Sequence, residues 1–148
     1  MSIGYRLTLA GDIPLRHVAD LAAPDAAETP TPAADQLLSA DLYEERGYLV
    51  SISSGRDGYY DAEDDDGAYW EWEPEEYVDI SFDMRTDDMA DKGVPNMVAT
   101  VARVLAYRAE DAALVLNGNW LLLTRVGGTL RKHRPQWWAH YGVDDVIP

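Results

Sequence analysis

The sequence contains no cysteine, which excludes disulfide bonds, a thiol nucleophile and thiolate metal ligands. No apolar run approaches the roughly 20 residues that a membrane-spanning helix requires. The amino-terminal residues lack a basic segment followed by an apolar run, so we expect a cytoplasmic protein without a secretory signal. The three histidines, His17, His133 and His140, do not show the His-x-x-x-His spacing of a metal site on a helix.

Motifs for catalysis and for bound cofactors are also missing from the sequence. The turn at Gly127-Gly128 lacks the spacing and the lysine of a phosphate-binding loop. Asp64, Asp66, Gly67 and Glu73 match positions 3, 5, 6 and 12 of a calcium-binding loop. Position 1 of that loop falls on Ala62, whose side chain has no ligand oxygen. We therefore predict no enzyme activity, no catalytic residues, no cofactor and no built metal site.

Negative charge is concentrated in one segment, residues 57–91. This segment holds fifteen of the 27 acidic residues and a single base, Arg85, in a chain whose formal net charge is −15. This concentration of negative charge repels phosphates, which argues against nucleic acid and anionic membranes as direct partners. The same segment contains seven aromatic residues: Tyr59, Tyr60, Tyr69, Trp70, Trp72, Tyr77 and Phe82.

Acids interleaved with aromatic rings are typical of a surface that binds a basic protein. The rings fill pockets of the partner, and the carboxylates attract and orient it. An alternative interpretation is a solvated acidic loop whose aromatic residues belong to the core. The residues predicted to bind the partner are Asp57, Tyr59, Tyr60, Asp61, Glu63, Asp64, Asp65, Asp66, Tyr69, Trp70, Glu71, Trp72 and Glu73.

Residue patterns along the chain predict a single α+β domain, residues 1–148, with an antiparallel sheet. Two turn signals favour hairpins: Asp66-Gly67 within the acidic segment and Asn117-Gly118 further on. Strands are predicted at 3–9, 48–53, 59–63, 68–73, 77–84, 112–116, 119–126 and 129–132.

Apolar residues at helical spacing predict one main amphipathic helix, at about 94–108, packed on one face of the sheet. Shorter helices are predicted near both ends, at 14–23 and 136–141. The proline-rich residues 24–35 are expected to form a surface loop, and residues 37–46 a helical turn or two.

Two charged groups of the sequence carry specific expectations. The acidic segment, residues 57–91, is expected to be solvated, and alternation in the strand at 77–84 directs Asp79 to water. We therefore expect no carboxylate of this segment to have its pKa raised by burial. The basic run Arg131–Arg134 is expected to offset the acidic segment within the monomer. The neighbouring Trp137 and Trp138 are expected to pack the last helix.

Five segments together resemble a known bacterial family. They are YRLTLAGD at 5–12, SGRDGYY at 54–60, WEWEPEEYVDISF at 70–82, VPNMVATVARVLA at 94–106 and LLLTRVGGTLRKH at 121–133. The chain resembles immunity proteins of the swarming-inhibition (Sit) type, which belong to contact-dependent polymorphic toxin systems. The resemblance implies a non-enzymatic cytoplasmic protein that binds and neutralises one cognate protein toxin. It implies no particular binding residues, so the predicted site depends on the acidic segment alone.

Two other functions remain open from the residues themselves. An acidic surface could mimic nucleic acid and inhibit a DNA-binding protein unrelated to toxins. Alternatively, the acid cluster could serve a metal-dependent enzyme that acts on a small ligand.

Overall fold

A large, mostly antiparallel sheet forms the centre of the protein, whose computed structural model describes residues 2–148. Within these residues, no helix is both long and apolar enough to cross a membrane. The strands are β1 (Ser2–Ala10), β2 (Thr31–Ala34), β3 (Leu37–Leu42), β4 (Tyr48–Arg56), β5 (Tyr60–Glu63), β6 (Tyr69–Trp72), β7 (Glu76–Arg85), β8 (Ala112–Leu116), β9 (Trp120–Val126) and β10 (Thr129–Lys132). The helices are α1 (Leu15–Ala22), α2 (Val94–Tyr107) and α3 (Pro135–His140).

The strand order is β2-β3-β4-β7-β1-β8-β9-β5-β6, and β10 also pairs with β9. Neighbouring strands are antiparallel, except that β5 meets β9 in parallel at one residue pair, Glu63 and Trp120. The α+β prediction is therefore right in outline, although the sheet dominates and the helices are few and short. The predicted main helix is present as α2.

The main core lies between the helices and one face of the sheet. Alternation along β1 directs Tyr5, Leu7 and Leu9 to this face, as the sequence predicted. Val98 and Val101 of α2 pack into the same cluster and are fully buried. This face is thus closed, and any exposed site on the sheet must lie on the opposite face or at an edge.

The sequence prediction was wrong for residues 31–34 and 37–42, where the structure has two strands. Residues 31–34, predicted as loop, form β2, and residues 37–42, predicted as helical, form β3 and pair with β4. Leu38 and Leu42 lie four residues apart, a spacing that fits one face of a helix and also one face of a strand. Pairing of Leu38 with Ile52 and of Ala40 with Val50 selects the strand.

Two glycines let the turn before β4 approach the start of α2. Gly47 has φ +90°, and a Cβ placed there would lie 2.7 Å from the backbone nitrogen of Gly93. We expect Gly47→Ala to lower the free energy of unfolding by about 2 kcal/mol or more, since it combines left-handed strain with a backbone clash. Gly118→Ala is the matched control: its φ is +74° but nothing lies within 4 Å of the added carbon. Urea unfolding of both variants checks this, and equal losses would contradict the clash.

The hairpin formed by β5 and β6 covers part of the sheet face opposite the helices. Trp70 and Trp72 pack there against a second apolar cluster, formed by Ala62, Ala113, Val115 and Leu121. In the register of β5 and β6, Tyr60 lies opposite Trp72 and Ala62 opposite Trp70, so these residues share the inward side. The hairpin is therefore a layer of the fold and not a projecting loop.

Candidate protein-binding surface

The outward side of the hairpin carries the exposed part of the predicted site. Alternation along the two strands places six residues on this side, and we call them the outer hairpin face. Five of them are exposed and Asp61 is half-buried. The six are Tyr59, Asp61, Glu63, Tyr69, Glu71 and Glu73.

Two tyrosines of the outer hairpin face are held by carboxylates rather than by apolar packing. Tyr59 is 55% exposed and its hydroxyl donates to Glu71 Oε2 at 3.1 Å. Tyr69 is 73% exposed and its hydroxyl donates to Asp61 Oδ2 at 3.1 Å. These hydrogen bonds raise the pKa of both phenols. The rings therefore stay neutral and oriented while remaining open to a partner.

The two carboxylates that hold the tyrosines also face each other. Asp61 and Glu71 are directly opposite in the register of β5 and β6, where like charges destabilise a sheet. Among residues 2–148, neither of them forms a salt bridge. The outer hairpin face thus keeps an uncompensated concentration of negative charge.

A buried polar contact anchors the base of the hairpin to the sheet. Tyr60 is only 8% exposed, and its hydroxyl donates to both oxygens of Asp79, at 3.2 and 3.0 Å. Thr8 donates to the same carboxylate, and the Arg6 guanidinium lies 4.7 Å from the centre of the Tyr60 ring. Burial raises the pKa of Asp79. The sequence prediction for Asp79 was therefore wrong, because the hairpin covers the face that alternation left open to water.

The tip of the hairpin is fixed by the basic run near the carboxyl terminus. His133, which is 3% exposed, contacts Asp64 at 2.6 Å and Asp65 at 3.2 Å through Nδ1. Arg134 donates to the backbone carbonyl of Glu63 at 2.9 Å. The side chain of the buried Trp138 donates to the carbonyl of His133 at 2.9 Å. Two members of the basic run thus contact the tip, His133 through two carboxylates and Arg134 through a backbone carbonyl.

The tip also contains a possible group of metal ligands. Ligand atoms of Asp64, Asp65 and His133 lie within 4.8 Å of one another. However, Nε2 of His133 is 3.0 Å from the Thr124 hydroxyl, and its Nδ1 is bonded to Asp64. Both ring nitrogens are therefore engaged in hydrogen bonds, and the arrangement acts as an internal clamp on the hairpin.

The clamp predicts a dependence of stability on pH. Partial burial acts to raise the pKa of Asp64, but hydrogen bonds from Asp65 and His133 outweigh it and hold the pKa well below its usual range. A carboxyl whose pKa is lowered by folding contributes its full stability above its pKa in the unfolded chain, about 4. The contribution is lost progressively as the pH falls from there toward the lower pKa of the folded state. We expect Asp64→Asn to cost about 1 kcal/mol at pH 7, with the difference from wild type shrinking toward pH 3. Urea midpoints between pH 7 and 3 measure this, with exposed Asp35→Asn as control. A gap that widens in acid would contradict it.

The structure thus divides the predicted site residues into groups. The outer hairpin face holds six, while Tyr60, Trp70 and Trp72 face the sheet, and the buried Tyr60 cannot fill a partner's pocket as predicted. Asp64 and Asp65 bind His133, and Asp66 accepts the Ala68 amide in the tip turn. Asp57 lies at the opposite end of the hairpin, exposed and with φ 53°.

Residues that hold the hairpin were missed as parts of the site. Their signals differ: the basic run containing His133 and Arg134 is visible in the sequence, whereas nothing in the alternation around Asp79 marks its burial. Locating Asp79 requires knowing which strands the hairpin covers.

Comparison with known proteins identifies the family. A family model described as SitI3-like matches residues 3–142, which is nearly the whole chain. No curated protein and no solved structure shows a significant match to the chain. The chain therefore belongs to the SitI3-like family, and the resemblance to Sit-type immunity proteins is confirmed.

Proposed function

We propose that this protein is a non-enzymatic, cytoplasmic immunity protein that binds and neutralises one cognate toxin with a basic surface. Membership of the SitI3-like family supports the immunity role. The observation that carries the binding surface is the outer hairpin face, where two exposed tyrosines are each oriented by a carboxylate. Ordered rings beside unpaired acids are well suited to a basic partner, because little conformational entropy is lost on binding.

The charge pattern explains how such a partner would gain affinity at this surface. A lysine or arginine of the toxin placed between Asp61 and Glu71 replaces a repulsion by two attractions. The tyrosine rings beside it provide faces for a guanidinium or an apolar contact. A basic substrate groove on the toxin would be blocked by carboxylates standing where phosphates bind.

The direct test is to identify the partner and measure rescue. Proteins encoded by neighbouring genes are passed over the immobilised chain, and any toxin that is retained is co-expressed with it to measure growth. The proposal expects capture of a basic toxin and restored growth. Failure to capture or neutralise any such toxin would overturn it.

Salt dependence of association provides a second measurement. Because long-range attraction accelerates encounter, we expect the association rate constant to fall about tenfold or more as ionic strength rises from low to moderately high values. Dissociation should change much less, since it reflects short-range contacts. Stopped-flow measurement of the tyrosine and tryptophan fluorescence checks this. An association rate constant that does not change with ionic strength would contradict electrostatic attraction at this surface.

A further inference from the structure

Strand β6 leaves one side of its backbone unpaired at an end of the sheet. Within residues 2–148, three strands pair on one side only: β2, β6 and β10. An unpaired strand offers a row of backbone donors and acceptors, and it is a template for a strand from another chain. The three edges differ in their chemistry.

The register of the hairpin identifies which groups of β6 point off the sheet. In the tip turn, the Asp64 amide donates to the Ala68 carbonyl at 2.9 Å. Asp64 and Ala68 are therefore a hydrogen-bonded pair, and such pairs recur at every second residue along an antiparallel ladder. Trp70 and Trp72 are thus hydrogen-bonded positions, with their amides directed to β5. The amides and carbonyls of Tyr69 and Glu71 then point outward, giving four free backbone groups.

An independent contact agrees with this alternation. Glu63 of β5 lies opposite Tyr69, and its amide donates away from β6, to the Asn119 carbonyl at 2.7 Å. Residues at this pair therefore direct their amides outward on both strands. No proline interrupts β6, since Pro74 lies beyond its end.

The other two edges are less suited to a basic strand. β2 contains Pro32, which has no amide hydrogen to donate. β10 ends in Arg131 and Lys132, which would repel a basic partner. Of the three, only β6 combines free backbone groups with acidic side chains that lie in the outer hairpin face.

We propose that the toxin extends the sheet by adding a strand with basic side chains to the free edge of β6; this rests on the proposed function. Up to four backbone hydrogen bonds join the added strand to Tyr69 and Glu71. Alternate side chains of that strand lie beside the outer hairpin face and meet its carboxylates. A second copy of this chain is rejected, because pairing two copies at this edge would place their acidic outer hairpin faces side by side.

Amide hydrogen exchange tests the edge directly. In the free protein, the amides of Tyr69 and Glu71 should exchange quickly, whereas those of Trp70 and Trp72 should be protected. In the complex with the captured toxin, the amides of Tyr69 and Glu71 should slow by about tenfold or more, as expected for newly bonded groups.

A matched pair of variants separates the backbone from the carboxylate. Both variants lose the charge of Glu71 and its hydrogen bond from Tyr59. Glu71→Pro also removes the outward amide hydrogen, whereas Glu71→Thr keeps that amide and retains strand preference. We expect Glu71→Pro to bind the toxin about tenfold or more weaker than Glu71→Thr, since it loses an edge hydrogen bond and obstructs the added strand. Unchanged protection of the Trp70 and Trp72 amides confirms that the hairpin is intact in both variants.

The outcomes distinguish this inference from the proposed function. A complex with equal affinity for the two Glu71 variants, and fast exchange at Tyr69 and Glu71, would overturn strand addition while leaving toxin binding in place. Protection of the same amides in the free protein as its concentration rises would also overturn it, by showing that copies pair with each other. Absence of any toxin complex would overturn both.

Discussion

Replacing Arg125 with alanine is expected to lower the free energy of unfolding by about 3 kcal/mol or more. Arg125 of β9 is 8% exposed and donates to three backbone carbonyls, those of Leu105 and Arg108 at 2.8 Å and that of Glu110 at 2.8 and 3.0 Å. They belong to the end of α2 and the turn that follows, where the carbonyls have no helical partner. Alanine would leave these buried acceptors unsatisfied and open a cavity.

The size of this effect depends on the fork shape of the guanidinium. Burial lowers the pKa of Arg125, and the charges of Glu110 and Asp111 oppose that shift, so the group remains a cation with all its donors. Arg125→Lys keeps the charge but cannot reach three separate carbonyls with one ammonium, so we expect a smaller loss than for alanine.

Urea unfolding followed by tryptophan fluorescence measures these losses. The control is Arg131→Ala, which removes an exposed arginine from β10. It should change the free energy of unfolding by less than about 0.5 kcal/mol. If Arg125→Ala were as mild as this control, the capping of α2 by β9 would not be a major source of stability.

Local signals in the sequence predicted much of the fold. The hairpins of β5 with β6 and of β8 with β9 were predicted, because an Asp-Gly or Asn-Gly turn between β-prone segments is specified within a few residues. α2 was predicted because its apolar stripe spans four turns and has no competing period. Neither prediction depended on distant parts of the chain.

Residues 31–42 were not predicted, because their structure depends on distant residues. The edge strand β2 exists only by pairing with β3, and β3 is selected by the apolar face of β4. A short segment such as Leu37–Leu42 fits two periods, so its own residues do not decide between them.

The candidate site was only partly predictable, for a related reason. Composition located the charge and the rings, but which side of the hairpin faces water depends on the sheet beneath it. Tyr60 packs on that sheet, and the tip acids Asp64 and Asp65 bind His133. Substitutions at the tip therefore disturb the fold, and a clean test of binding must use Asp61 and Glu71.

Neutralising that pair, with Asp61→Asn and Glu71→Gln together, is expected to weaken toxin binding about 100-fold or more. Both replacements are close in shape to the originals and keep an oxygen that can accept the hydrogen bonds from Tyr69 and Tyr59. The rings should therefore remain oriented, and the loss should reflect charge. Titration calorimetry or surface plasmon resonance with the captured toxin measures it.

Stability should move in the opposite direction from affinity. Because Asp61 and Glu71 oppose each other across the hairpin, removing both charges relieves a repulsion and should raise the free energy of unfolding by a few tenths of a kcal/mol. A matched control, Asp87→Asn with Asp91→Asn, changes the net charge equally at two exposed positions outside the hairpin. It should leave affinity within about threefold, since screening weakens distant charges.

If the two double variants bound equally well, the total charge and not the outer hairpin face would account for binding. If instead neutralising Asp61 and Glu71 weakened both binding and folding, these acids would contribute to the fold, and the loss of affinity would not by itself identify a binding surface.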